Sequence, residues 1–212
     1  MKNLYIIGAG GLGRNVLSYA LDIMTVQNEW RIKGFLNSQK YIDALDDIDS
    51  LNYKICESLE GHRISEQNVY VFAISDVSIR EKMCKKLKDD GAVFVNIIHP
   101  TAIISKTAVL GEGIIIAPYS TVGANAIIED FVFVDGGTII GHDAIIREYS
   151  SIGPHCSVLG HCTIERKVTL GSNATIHPHI HIGEESIVGI GSVVVKNVRS
   201  HCTVFGVPAM KL

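Results

Sequence analysis

The sequence predicts two kinds of structure in series: a small parallel α/β domain over residues 1–98 and a parallel β-helix, with a C-terminal tail, over residues 99–212. Three observations carry this. A glycine-rich turn, "GAGGLG", follows a short apolar run at the N-terminus. Strand-like and helix-like segments then alternate through the first part of the chain. From Ile104 to Val194, every sixth residue is Ile, Leu or Val, sixteen positions in succession.

In chain order, "LYIIGAGGLGRNVLSYAL" reads as a buried strand, a turn carrying Gly8, Gly10 and Gly13, and a helix. That arrangement presents backbone N–H groups and a helix N-terminus to a phosphate. "RIKGFLN" reads as a second strand, "NVYVFAIS" as a third, "DVSIREKMCKKLKDDG" as a helix capped by Asp76, and "AVFVNII" as a fourth strand. The alternation implies a small Rossmann-like parallel sheet that binds ligands at the carboxyl ends of its strands. GxGxxG usually suggests a dinucleotide dehydrogenase, yet this domain is half-sized and no dehydrogenase catalytic domain follows. "IIHPTAIIS" marks the passage into the second domain, with Pro100 ending the last strand.

The six-residue period contains a strand alternation. Two residues before each anchor the side chain is mostly small, as at Ala102, Ser120, Thr138, Ser150, Cys156 and Cys162. Anchor and small residue therefore share one face of a short strand. Glycine recurs just after the anchor, at Gly111, Gly123, Gly141, Gly153, Gly171, Gly183 and Gly189, and is expected to turn the chain. Three strand-and-turn units make a triangular coil of 18 residues, and sixteen units give about five coils. This is the pattern of hexapeptide-repeat proteins, whose members wind left-handed against the usual crossover preference. The register is uninterrupted, so no long loop protrudes. An active site must use the prism's corners, its neighbours or the other domain.

Composition narrows the function. With 47% hydrophobic residues and a formal net charge of −3, the chain reads as soluble and globular, without the basic excess of a nucleic-acid binder. The N-terminal apolar run is too short for a signal peptide or a membrane span, so a cytoplasmic protein without membrane insertion is expected. Five cysteines, an odd number without metal-type spacing, fit reduced thiols, and Cys156 and Cys162 fall on the inward small position as core filler. His161 and His179 are 18 residues apart and should stack one coil apart. No carboxylate repeats beside them, so a solvated stack is expected rather than a metal site. "HPHIHIG" from His177 to Gly183 resembles a metal run, but alternation sends its members to different faces. His142 and Asp143 lie two and three residues past the anchor Ile140, on a turn at a prism edge. An adjacent carboxylate can orient an imidazole and raise its basicity, as a general base requires; spacing alone equally allows an exposed His-Asp pair.

Taken together, the glycine-turn domain, "GFLN", "NIIHPTAIIS", the unbroken hexapeptide prism with "GHD" and the closing "VFGVPAMKL" resemble the sugar O-/N-acyltransferases of the NeuD/PglD type, over nearly the whole chain. The resemblance implies a homotrimer that moves an acyl group, usually acetyl, from a coenzyme A thioester to a sugar. The acceptor is most often the amino group of a nucleotide-linked 4-amino-sugar, with O-acetylation of a sugar or sialic acid as the alternative. Acetyl-CoA is the implied donor and no metal is required. The base would be His142, assisted by Asp143. Acyl-CoA contacts would fall on Ser151, Ser172, Ile190 and Gly191, using an adjacent subunit. Nucleotide contacts would be Gly10, Gly11, Leu12, Asn37, Ser38 and Ser75, with Asp135 near the acceptor. Four positions depart from the family pattern. Leu12 replaces a histidine, Asn37 an aspartate, Asp135 a frequent asparagine, and Ser151 the histidine of some members. Two rivals remain: a hexapeptide-fold carbonic anhydrase, and a non-catalytic nucleotide-sugar-binding protein.

Overall fold

The computed structural model describes residues 1–27, 29–43 and 52–212. The chain divides into two compact units, Met1–Ile97 and Ile98–Leu212.

The first unit runs β1 (Lys2–Ile7), α1 (Gly11–Val26), β2 (Trp30–Asn37), β3 (Ile55–Ser58), β4 (Asn68–Phe72) and α2 (Val77–Asp89). The strands form a parallel sheet in the order β3-β2-β1-β4. Strands β1 and β4 are the apolar runs of the sequence because they are central or covered: Leu4, Ile6, Val69 and Val71 are all buried. Helix α1 buries Val16, Leu17, Ala20 and Ile23, an amphipathic stripe. Asp76 caps α2 as expected, its carboxylate accepting from the N–H groups of Ser78 (2.9 Å) and Ile79 (2.8 Å).

One expected strand is corrected. Within "AVFVNII", Phe94 makes only an isolated parallel bridge to Tyr70, and the two-residue strand Ile97–Ile98 heads a sheet of the β-helix. The fourth strand of the α/β sheet is instead β3. Its sequence, "ICES", lacks an apolar run because it is a half-exposed edge strand.

The second unit contains sixteen two-residue strands, from Ile103–Ile104 to Val193–Val194, each starting six residues after the last. They stack into the three faces of a left-handed parallel β-helix. Pairing joins residues 18 apart, as in Ile127 with Ile145 and Ile128 with Ile146. The inward anchors Ile128, Ile140, Ile152, Ile164 and Ile176 are fully buried. Polar members of the small inward position are satisfied in a repeating way. Ser120, Thr138 and Ser150 donate to the carbonyls of Asp135, Gly153 and Glu165 at 2.7–2.9 Å. The thiols of Cys156 and Cys162 do the same toward Gly171 and His177, both at 3.1 Å. Cys156 and Cys162 are therefore filler that also closes a backbone hydrogen bond.

The role expected of the recurrent glycine is also corrected. The chain turns two residues later, where Asn125, Asp143, His161 and His179 hold φ of 55–64°. Glycine follows the anchor because the next coil passes against it: a Cβ on Gly141 would lie 2.7 Å from the backbone nitrogen of Gly160. Among the described residues, no helix is long and apolar enough to cross a membrane.

Candidate active site

The edge that carries His142 follows from the 18-residue step. Ala124, His142, Gly160 and Pro178 occupy one corner position in successive coils, and Asn125, Asp143, His161 and His179 the next. The second position is left-handed in each of these four coils, a conformation in which Asn, Asp and His are enriched among non-glycine residues. A backbone requirement thus brings titratable side chains into register.

Their contacts are specific. His142 Nδ1 lies 2.8 Å from Asp143 Oδ2, and Asn125 Nδ2 donates to Asp143 Oδ1 at 3.2 Å. These bonds, His142 first and Asn125 second, hold the Asp143 carboxyl below its usual range, so it remains a carboxylate at neutral pH. The imidazole of His142 lies over Gly160, where a Cβ would come within 2.7 Å of Nε2. Because the carboxylate can only accept, the contact assigns the proton to Nδ1 and leaves Nε2 as an acceptor on a side chain that is 61% exposed. That is the disposition of a general base.

His161 and His179 stack as expected, ring centroids 4.8 Å apart and planes within 6°. A second expectation fails: a carboxylate does stand beside them. Asp143 is 18 residues before His161, and its Oδ2 lies 3.9 Å from His161 Nε2. The same arithmetic that paired the histidines would have found it. The ring of His161 also meets that of His142 edge-on at 5.0 Å. His142, Asp143 and His161 thereby offer three ligand atoms within 4.8 Å of one another.

The residues assigned to acyl-CoA lie elsewhere on the prism. Ser172 and Ile190 occupy one corner position of a different edge in successive coils, and the Gly191 N–H donates to the Ser172 carbonyl at 2.8 Å. Asp135 opens the same edge two coils earlier, its carboxylate accepting from the Gly136 N–H at 2.8 Å. Ser151 faces outward on the adjoining sheet but is 9% exposed. A single chain therefore does not bring this set to His142.

In the first unit, a cavity of about 400 Å³ opens at the carboxyl ends of β1, β2 and β4. Gly10, Gly11, Leu12, Asn37 and Ser75 line it; Ser38 does not and begins the short turn Gln39–Tyr41 instead. Side chains at Gly10 or Gly11 would meet nothing within 4 Å, so the bare backbone faces open space. Gly13 serves packing: a Cβ there would run into the Gly8 carbonyl oxygen. The cavity also has Arg14 and Tyr41, which the sequence reading missed. Arg14 had a usable signal, a cation in the first turn of a helix without a capping side chain, where the helix dipole disfavours positive charge unless an anion is bound. Tyr41 sits after β2 on a turn whose path the sequence does not encode, and its carbonyl accepts from Asn37 Nδ2 at 3.0 Å.

Comparison with known proteins places these features. Residues 3–87 match the family described as the PglD N-terminal domain. A UDP-N-acetylbacillosamine N-acetyltransferase of Bacillus subtilis (strain 168) is 29% identical over 120 residues, which span 55% of this chain and about half, 51%, of that relative. PerB of Caulobacter crescentus, solved in complex with CoA and GDP-perosamine, superposes with a TM-score of 0.85 at 25% identity, covering 100% of this chain and 98% of PerB. The acetyltransferase domain of PglB from Neisseria gonorrhoeae FA1090, solved with acetyl coenzyme A, shares the fold with a TM-score of 0.87 at 24% identity, covering 100% of this chain and 99% of that domain.

Proposed function

We propose that this chain, a sugar acyltransferase of the NeuD/PglD type, transfers an acetyl group from acetyl-CoA to the amino group of a nucleotide-linked amino-sugar. The observation that carries the reading is the His142 edge: Nδ1 tied to Asp143 and Nε2 free to accept a proton over the space left by Gly160. The relatives support the substrates: PerB was solved with CoA and a GDP-linked amino-sugar, and the Bacillus relative is named for acetylation of a UDP-linked one.

His142 Nε2 takes a proton from the sugar amine as its nitrogen attacks the thioester carbonyl carbon. A backbone N–H stabilises the oxyanion that forms. The C–S bond then breaks, the amide remains on the sugar, and the imidazolium returns its proton to the departing CoA thiolate. Asp143 stays ionised throughout and stabilises the imidazolium.

The α/β unit holds the nucleotide. Its cavity offers the α1 N-terminus and Arg14 to the phosphates, and Asn37, Tyr41 and Ser75 to the remainder. The CoA residues Ser151, Ser172, Ile190 and Gly191 lie on another part of the prism, so an adjacent subunit of a homotrimer would complete the site. Both substrates are charged and membrane-impermeant, which supports a reaction in the cytoplasm, where such donors are made.

The test is thiol release from acetyl-CoA with UDP-, GDP- and dTDP-linked 4-amino-sugars and free sialic acid, with His142→Ala as control. Turnover with one nucleotide-linked amino-sugar that the variant lacks is the expected result. Turnover with sialic acid alone would move the reading to O-transfer. Nucleotide-sugar binding without any turnover would make the protein a non-catalytic binder.

A further inference from the structure

We propose that His142 Nδ1, Asp143 Oδ2 and His161 Nε2 form a binding site for a divalent transition-metal ion of the Zn²⁺ class, and that occupancy shuts the catalytic edge off. The shut-off rests on the reading of His142 as the base; the metal site itself does not.

Two imidazoles and a carboxylate are a ligand set suited to Zn²⁺. Bonds of about 2.0–2.1 Å in tetrahedral array put neighbouring ligand atoms roughly 3.3 Å apart. Two of the three pairwise separations, 2.8 Å from His142 Nδ1 to Asp143 Oδ2 and 3.9 Å from Asp143 Oδ2 to His161 Nε2, straddle that figure, and the three residues offer ligand atoms within 4.8 Å of one another. Small side-chain rotations bring both to it.

The frame around the three ligands is already set. The backbone N–H of His161 donates to the His142 carbonyl at 3.0 Å, so the two histidines are fixed to each other across consecutive coils. One face of the His161 ring is braced by His179, and Gly160 leaves room for the ring of His142. Asn125 holds Asp143 Oδ1, which leaves Oδ2 for the metal, the part that outer hydrogen bonds play around metal-binding carboxylates. All three side chains are accessible, at 61%, 37% and 47% exposure. Three protein ligands leave a further coordination position for water.

The shut-off follows from proton bookkeeping. A neutral imidazole carries one proton. With the metal on Nδ1, that proton resides on Nε2, which becomes a donor and can no longer take the proton of the attacking amine. The metal takes no part in acyl transfer; it holds His142 in the wrong tautomer.

The test uses tag-free full-length protein and Co²⁺ as the probe, read by the visible absorption of low-coordinate Co²⁺ and by competition with Zn²⁺. One Co²⁺ per chain is expected. His161→Gln should weaken it at least tenfold, Asn125→Ala about tenfold, and His201→Gln, at an exposed histidine outside the cluster, should leave it unchanged. Zn²⁺ should stop acetyl transfer by the parent protein, EDTA should restore it, and His161→Gln should keep its transfer at Zn²⁺ concentrations that stop the parent. Co²⁺ affinity that His161→Gln leaves intact, or no Co²⁺ absorption at all, would overturn the site. If the EDTA-treated protein acetylates no acceptor, the functional reading falls, and the Co²⁺ titration still decides the metal site.

Discussion

In the α/β unit the cavity is shaped by residues that withdraw from space: Gly10 and Gly11 leave bare backbone at a helix start, and Arg14, Asn37 and Tyr41 line it from a helix, the end of β2 and a turn. Along the His142 edge of the β-helix the opposite holds. Apart from the His142–Asp143 pair, which is adjacent in sequence, its contacts are made by side chains that the 18-residue coil sets against one another, as in the bond between Asn125 and Asp143 and the stack of His161 on His179. One region makes a site by geometry peculiar to each position; the other makes it by repetition. The difference separates what each kind of substitution should break.

The largest expected effect falls on the repetitive edge. His142→Ala should lower kcat by about 10²- to 10⁴-fold, while calorimetric titration finds the nucleotide Kd unchanged. A comparable loss of nucleotide binding would erase the division of labour between the two units.

Glycines offer the next contrast. Gly141→Ala places a Cβ 2.7 Å from the Gly160 nitrogen and 2.8 Å from the Leu159 carbonyl carbon, so it should cost about 1–3 kcal/mol in denaturant unfolding. Gly10→Ala points into open space and should leave stability unchanged while weakening nucleotide binding. Equal effects on stability would show that both glycines serve packing.

A smaller effect is expected at Arg14. Arg14→Gln removes a cation facing the cavity and should weaken a nucleoside diphosphate about tenfold, the scale of a charge-assisted hydrogen bond, with the uncharged nucleoside unaffected. Calorimetry with both ligands checks it.

The smallest concerns Cys156, whose thiol is pushed up by burial from 9.0 to about 11. The unfolded chain releases this proton from about pH 9 and the folded chain only near pH 11, so stability falls as pH rises through that window. Cys156→Ser should flatten this decline. It should change stability at neutral pH by less than about 1 kcal/mol, since Ser120 and Ser150 make the same inward bond in other coils. Unfolding curves at pH 8 and pH 10 would decide it.

The sequence by itself determined the β-helix, its register from Ile104 to Val194, the burial of Cys156 and Cys162, the stack of His161 on His179 and the place of His142 and Asp143 at an edge. All of these depend on a period, and hydrogen-bonded coils convert sequence distance directly into spatial distance. It also determined the β1–α1 glycine turn and the Asp76 cap, which are local. Tertiary structure alone decided that β3 joins the sheet beside β2, while "AVFVNII" makes only a bridge to β4 at the opposite edge, since pairing depends on which segment each sheet edge accepts. It decided that the recurrent glycines yield to a neighbouring coil rather than turn the chain, a clash visible only once coils are stacked. It decided that Tyr41 enters the cavity and Ser38 does not, because a turn carries no repeat to read. The meeting of Asp143 with His161 lay between the two cases: the register contained it, but only atoms 3.9 Å apart turned a shared corner into a candidate metal site.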